Sequence, residues 1–140
     1  MKQKGTLLLA GIAVVAIAAY QFGLKRPDTE TAASGKAIVS VKIPELTGTA
    51  KAGEALFSAN CASCHGESAA GRNGMGPPLV HKIYEPGHQA DGAFHLAVAR
   101  GVRAHHWPFG DMPPVQGLTE DNIAKIVEYV RTLQRANGIS

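Results

Sequence analysis

The chain has 140 residues, enough for one domain with an appendage, and an apolar content ordinary for a globular protein. Its formal charge of +3 is unevenly placed: Lys2, Lys4, Lys25 and Arg26 flank the first hydrophobic segment, leaving ten Lys and Arg against eleven Asp and Glu from Pro27 onward, a net charge of −1. The basic balance therefore belongs to the N-terminal segment, and the rest of the chain has neither a basic patch for nucleic acid nor a field strong enough to steer a partner from afar.

Thr6 to Leu24 reads TLLLAGIAVVAIAAYQFGL, behind Lys2 and Lys4. This is an export segment. A cleaved signal peptide would need a short apolar region and a small-residue site, and Ala16-Ile17-Ala18 would serve. A retained anchor needs about 20 mostly apolar residues. The uncharged run from Leu7 to Tyr20, extended by Gln21-Phe22-Gly23-Leu24, comes close to that length, so a transmembrane helix is favoured over a cleaved signal. Positive charges at both ends leave orientation undecided by charge. Arg26 to Lys36 (RPDTETAASGK) is polar and aperiodic, and reads as a flexible linker. Ala37 to Ile43 alternates, with Val39, Val41 and Ile43 on one side, and Pro44 ends this extended stretch. The expected organisation is an N-terminal membrane anchor or signal segment over 1–25, a linker and extended stretch over 26–44, and a working domain over 45–140.

That domain reads as all-α. A helix begins near Thr49, and Gly53, Phe57 and Cys61 share one of its faces at intervals of four. Asp91 is placed to cap a second helix through Phe94, Leu96 and Val98 that stops near Gly101. Thr119 caps the last helix, with Glu120 and Asp121 in its first turn, where negative charge is favoured. Ile123, Ile126, Val127, Val130 and Leu133 give it an apolar stripe of helical period. Arg131 and Arg135 fall near its end, and Asn137-Gly138 lie past it. Most of the Gly and Pro residues lie between 66 and 117. Ordered loops of that length in a small domain imply that something besides side chains fills the core.

Residues 61–65, Cys-Ala-Ser-Cys-His, form C-x-x-C-H, the pattern of covalent haem attachment. Two Cys three apart lie on one side of a helical turn and reach the two vinyl groups of one haem as thioethers. His65 then projects its imidazole toward the iron. A thioredoxin-like pair would want a βαβ context, and the flanks are helical. A zinc site would want four ligands, and there are no other cysteines; His81 and His88 have the wrong spacing, and His105-His106 are adjacent. Haem attachment takes place outside the cytoplasm, which puts the domain on the periplasmic or outer side of the membrane. One motif implies one haem c per chain.

Over roughly residues 49 to 136 the chain resembles a class I cytochrome c. Gly53 and Phe57 resemble that family's helix-crossing residues, with Tyr129 in the place of the aromatic they pack against. Gly76-Pro77-Pro78-Leu79 resembles its G-P-x-L loop, with Pro77 twelve residues after His65. The resemblance implies that the Pro77 carbonyl accepts a hydrogen bond from the His65 ring, orienting it and raising its basicity. Gly110-Asp111-Met112-Pro113-Pro114 resembles the distal loop, which makes Met112, 47 residues after His65, the sixth ligand. Met75 lies too close to Pro77 to reach the distal face. His105 and His106 are rivals of another type, suited equally to the surface or the propionate side.

Trp107 and Phe109 sit where they would line the pocket, the indole N–H within reach of a propionate, though ordinary core filling would use them as well. Arg100 and Arg103 would pair with propionates or stand as solvated helix-end charges. Two protein ligands leave no open position on the iron, so the resemblance implies electron transfer rather than bond chemistry, and His/Met ligation raises the reduction potential. The implied partners are a redox protein donor and acceptor, met in small transient encounters, and the membrane through the N-terminal helix. The alternative is a haem-based enzyme or ligand sensor in which Met112 does not hold the iron. The domain would serve as a tethered shuttle or as the cytochrome subunit of a dehydrogenase or respiratory complex.

Overall fold

The computed structural model describes residues 35–140. The predicted anchor and the first part of the linker lie outside them. Among the described residues no helix is long and apolar enough to cross a membrane.

Among the described residues four helices follow in chain order: α1 (Gly48–Asn60), α2 (Ala62–His65), α3 (Asp91–Arg100) and α4 (Glu120–Ala136). Two 3-10 turns, Glu67–Ala69 and Lys82–Tyr84, interrupt the loops. Among the described residues there is no strand, only two isolated bridges, Arg72 with Gly76 and Val102 with Met112. The described part is a helical domain, as the sequence predicts.

Helix α4 organises it. Thr119 and Asn122 form a reciprocal cap: the Asn122 backbone N–H donates to Thr119 Oγ1, and the Thr119 backbone N–H donates to Asn122 Oδ1. Glu120 and Asp121 occupy the first turn, as predicted. Eight residues of α4 are buried, more than the five of the predicted stripe, because the helix is covered on more than one side. Phe57, Ile126, Tyr129, Val130 and Leu133 form the main cluster with Ala69 and Val80. Val98, Ile123 and Val127 form a second one, against α3. Each fully buried large side chain contributes roughly 1.5–3 kcal/mol.

Helix α1 has only a weak apolar face and no side-chain cap, so tertiary packing holds it. Its buried residues are Ala50, Gly53 and Phe57. Where it meets α4, a Cβ on Gly53 would lie 1.9 Å from the Lys125 carbonyl oxygen and 2.9 Å from Tyr129 Cβ. Only glycine lets the two backbones approach this closely. One turn further, the Phe57 and Tyr129 rings meet at 5.3 Å and 53°. The helix pair predicted from the resemblance is therefore formed by these residues.

Two local expectations are corrected. Asp91 does not cap α3: Ala90 is the N-cap, and Asp91 is the first helical residue. Its carboxylate instead accepts from Arg131 Nε at 2.8 Å. Arg131 itself is 5% exposed. The stretch 37–43 lies along the domain without pairing as a strand. Ile38 and Val39 both donate to the Ala70 carbonyl, and Asn137 clamps Lys42 by its backbone N–H and C=O. Val41 packs against the core, while Ile43 is 53% exposed, since nothing continues the alternation that would turn it inward.

Candidate functional site

Helix α1 ends at Cys61, whose backbone N–H still donates to the Phe57 carbonyl but whose φ and ψ have left the helical region. The single turn α2 follows, with His65 N–H bonded to the Cys61 carbonyl at 2.9 Å. This break sets Cys61 and His65 on the wall of one cavity, with Cys64 exposed beside them.

The chain then doubles back. Gly71 N–H donates to the His65 carbonyl, and Arg72 and Gly76 exchange two backbone bonds across a tight turn. The Arg72 guanidinium reaches over the turn to the Ser63 carbonyl at 2.6 Å, tying it to the C-x-x-C-H segment. The next residue, Pro77, is delivered to the ring: His65 Nδ1–H donates to the Pro77 carbonyl at 2.9 Å. A carbonyl only accepts, so the proton is on Nδ1, and the Nε2 lone pair is free. Burial pushes the imidazole pKa below its ordinary value, and the Pro77 bond offsets part of that. The ring is thus held neutral and oriented, as a metal-ligating histidine must be. Burial also pushes the Cys61 thiol up to about 11, with Cys64 adding to the effect.

Met112 stands in the same cavity. Its backbone is pinned to the end of α3: Val102 and Met112 exchange two N–H···O=C bonds of 2.9 Å. Met75 is 42% exposed, sits in the 72–76 turn and does not line the cavity. His105 and His106 are exposed residues on its lining, and the His105 Nδ1–H is already used on the Arg103 carbonyl. Arg103 lines the cavity and Arg100 does not.

The cavity spans about 1000 Å³, counting its open mouth, and its lining is mostly apolar. It is the space that the Gly- and Pro-rich loops enclose. Trp107 and Phe109 stack at 5.9 Å along it, and His81 meets the Trp107 ring edge-on. The Trp107 indole N–H is buried and makes no hydrogen bond of acceptable geometry. The nearby Tyr84 phenol has its pKa raised by burial and drawn back by the indole, without a completed bond between them. An unpaired buried donor costs about 1–3 kcal/mol. A flat apolar ring with carboxylates on one edge would fill the cavity and satisfy that donor, so the residues present fit a haem.

Sequence reasoning missed Arg72, Arg131 and Gln134. Arg72 carries no motif. The other two are polar residues within α4, and only their burial marks them.

The family model described as cytochrome c matches residues 50–134. Comparison with curated proteins yields no match.

Proposed function

Because the chain belongs to the cytochrome c family, whose domains carry one covalent c-type haem and transfer electrons, we propose that this domain is a one-electron carrier with His65 and Met112 as axial ligands. Cys61 and Cys64 are the thioether residues of this reading. The observation that carries it is the His65–Pro77 bond, which frees Nε2 on the wall of an apolar cavity that Met112 also lines.

The haem, when bound, supplies an iron centre that changes oxidation state by one electron. The protein's part is to bind, orient and exclude. Pro77 fixes the His65 ring and makes it a better donor. The Val102 bridge holds the Met112 backbone, so a sulfur ligand would be presented without rearrangement in either oxidation state. Phe57, Leu79, Phe94 and Ile126 keep water from the cavity, which disfavours the more highly charged state. Trp107 offers its N–H to a carboxylate edge.

The proposal extends to context. The uncharged run within Thr6–Leu24 supports a retained single-pass anchor, with the domain on the periplasmic or outer face. There it would exchange electrons with a redox protein donor and acceptor, as a tethered shuttle or as the cytochrome subunit of a larger oxidoreductase. Retention of the full-length chain in carbonate-washed membranes, with the domain open to protease from the outer side, is the expected result; a soluble, shortened product would replace the anchor by a cleaved signal.

The test of the site is the visible spectrum of the holoprotein, oxidised and reduced. A sharp low-spin reduced spectrum with the weak red band of methionine-ligated ferric haem is expected. A low-spin spectrum without that band would move the sixth ligand to His105 or His106. Rapid carbon monoxide binding would make this a ligand-binding or catalytic haem instead.

A further inference from the structure

Outside the ligand set, the most heavily satisfied side chain of the domain is Arg131. It is 5% exposed, on the middle of α4. Its Nε donates to Asp91 Oδ1 at 2.8 Å, and its Nη1 to the Tyr84 carbonyl at 2.6 Å and to Gln134 Oε1 at 2.7 Å. Its Nη2 donates to the Gln89 carbonyl at 2.5 Å, and its Cζ lies 5.0 Å from the centre of the Phe94 ring. Gln134, fully buried, adds bonds to the Leu79 and Tyr84 carbonyls. Leu79, Tyr84, Gln89 and Phe94 all line the cavity. A fixed cation therefore stands directly behind one wall of it.

The charge is only partly balanced. The Asp91 side chain is 66% exposed while that of Arg131 is 6% exposed. Water screens the carboxylate far more than the guanidinium. The remaining partners are neutral dipoles. Burying a charge this way is costly, and backbone carbonyls alone need no cation to satisfy them.

Resting on the haem reading above, we propose that Arg131 is a positioning residue with an electrostatic role: its buried charge, incompletely balanced by Asp91, raises the reduction potential of the haem in this cavity. One electron arrives from the donor protein and lowers the charge of the site by one; no bond forms or breaks and no proton moves. A fixed positive charge behind the wall favours the reduced form, and Asp91 sets how much of it is felt.

The test is equilibrium redox titration of the holoprotein with Asp91→Asn, Arg131→Gln and Arg131→Lys variants. Covalent haem on the denatured wild-type chain reports separately on the site reading. The expected result is opposite signs. Asp91→Asn keeps an oxygen acceptor for Nε but removes the negative charge, and raises the potential. Arg131→Gln lowers it by about tenfold in the equilibrium constant, roughly 59 mV for one electron, and Arg131→Lys retains most of the wild-type value. Visible spectra unchanged between variants exclude a change of ligand. A purely structural Arg131 would act by loosening the wall and admitting water, so both Asp91→Asn and Arg131→Gln would lower the potential. That outcome, or an Asp91→Asn variant with an unmoved potential, overturns the proposal, and because Asp91 is exposed it can be read even if Arg131→Gln fails to fold.

Discussion

The carbonyl oxygen of Met112 lies where a side chain on Gly101 would begin: a Cβ there would stand 2.4 Å from it. Gly101 ends α3 with φ 74° and ψ −179°, a region open in practice only to glycine. The approach lets Val102 and Met112 pair their backbones, and it places the start of the Met112 loop. A residue with no functional group of its own thus decides where the methionine stands.

Gly101→Ala is expected to displace that loop. The strain of the backbone region alone costs of order 1–3 kcal/mol, and the overlap with the carbonyl forces a shift besides. With Met112 as ligand, the variant has a lower potential and a weakened red ferric band, although Met112 is intact. Redox titration and the ferric spectrum read this; values equal to wild type would show that the bridge does not control the ligand.

Met112→Ala should lower the potential and open the iron to carbon monoxide, since a thioether ligand stabilises the reduced state. Met75→Ala should do neither, because that side chain is exposed and away from the cavity. A pair of variants with identical potentials and no carbon monoxide binding would remove Met112 from the ligand set.

Gly53→Ala should be among the most destabilising single substitutions in the chain. The added methyl would sit 1.9 Å from a backbone oxygen of α4, not from a side chain that can swing away. Overpacking typically costs about 1–3 kcal/mol, and here two helices must separate, so a loss at or above about 3 kcal/mol is expected in denaturant unfolding. A loss under about 1 kcal/mol would mean that the helix pair gives easily.

Tyr129 makes stability fall at alkaline pH. Burial, then Glu54, pushes its phenol up to about 12, with Glu67 adding and Ser68 opposing. The ordinary value is about 10, so between these limits the unfolded chain releases a proton that the folded one keeps. The contribution is full below pH 10 and is lost as pH rises toward 12, by up to roughly 2–3 kcal/mol at 1.36 kcal/mol per pH unit. Urea unfolding of wild type and Tyr129→Phe at pH 8 and pH 11 should differ by this slope; parallel curves would count against it.

The attachment motif and the last helix were legible because their information is local. C-x-x-C-H is five consecutive residues, and the Thr119 cap and the apolar period of α4 need only the geometry of one helix. The helix pair of Gly53, Phe57 and Tyr129 became legible through resemblance, not spacing. Asp91 was misread for the same local reason. An acidic residue ahead of an apolar run looks like a cap, and nothing nearby in sequence shows that Arg131, forty residues on, holds its carboxylate.

By itself, the sequence determined the chemistry: one pair of cysteines, one adjacent histidine, an apolar segment ahead of them and helices of readable period. Covalent attachment and helix formation depend on neighbours within a few residues, and such terms are written along the chain. The tertiary structure alone decided which groups share a space. It brought the Pro77 carbonyl to His65, left the Trp107 N–H unpaired in the cavity, and drew Met112 to Val102 over the bare face of Gly101. It also buried one arginine of α4 while leaving Arg135 at the surface. Burial and close approach depend on what packs from far along the chain, and no local pattern carries that information.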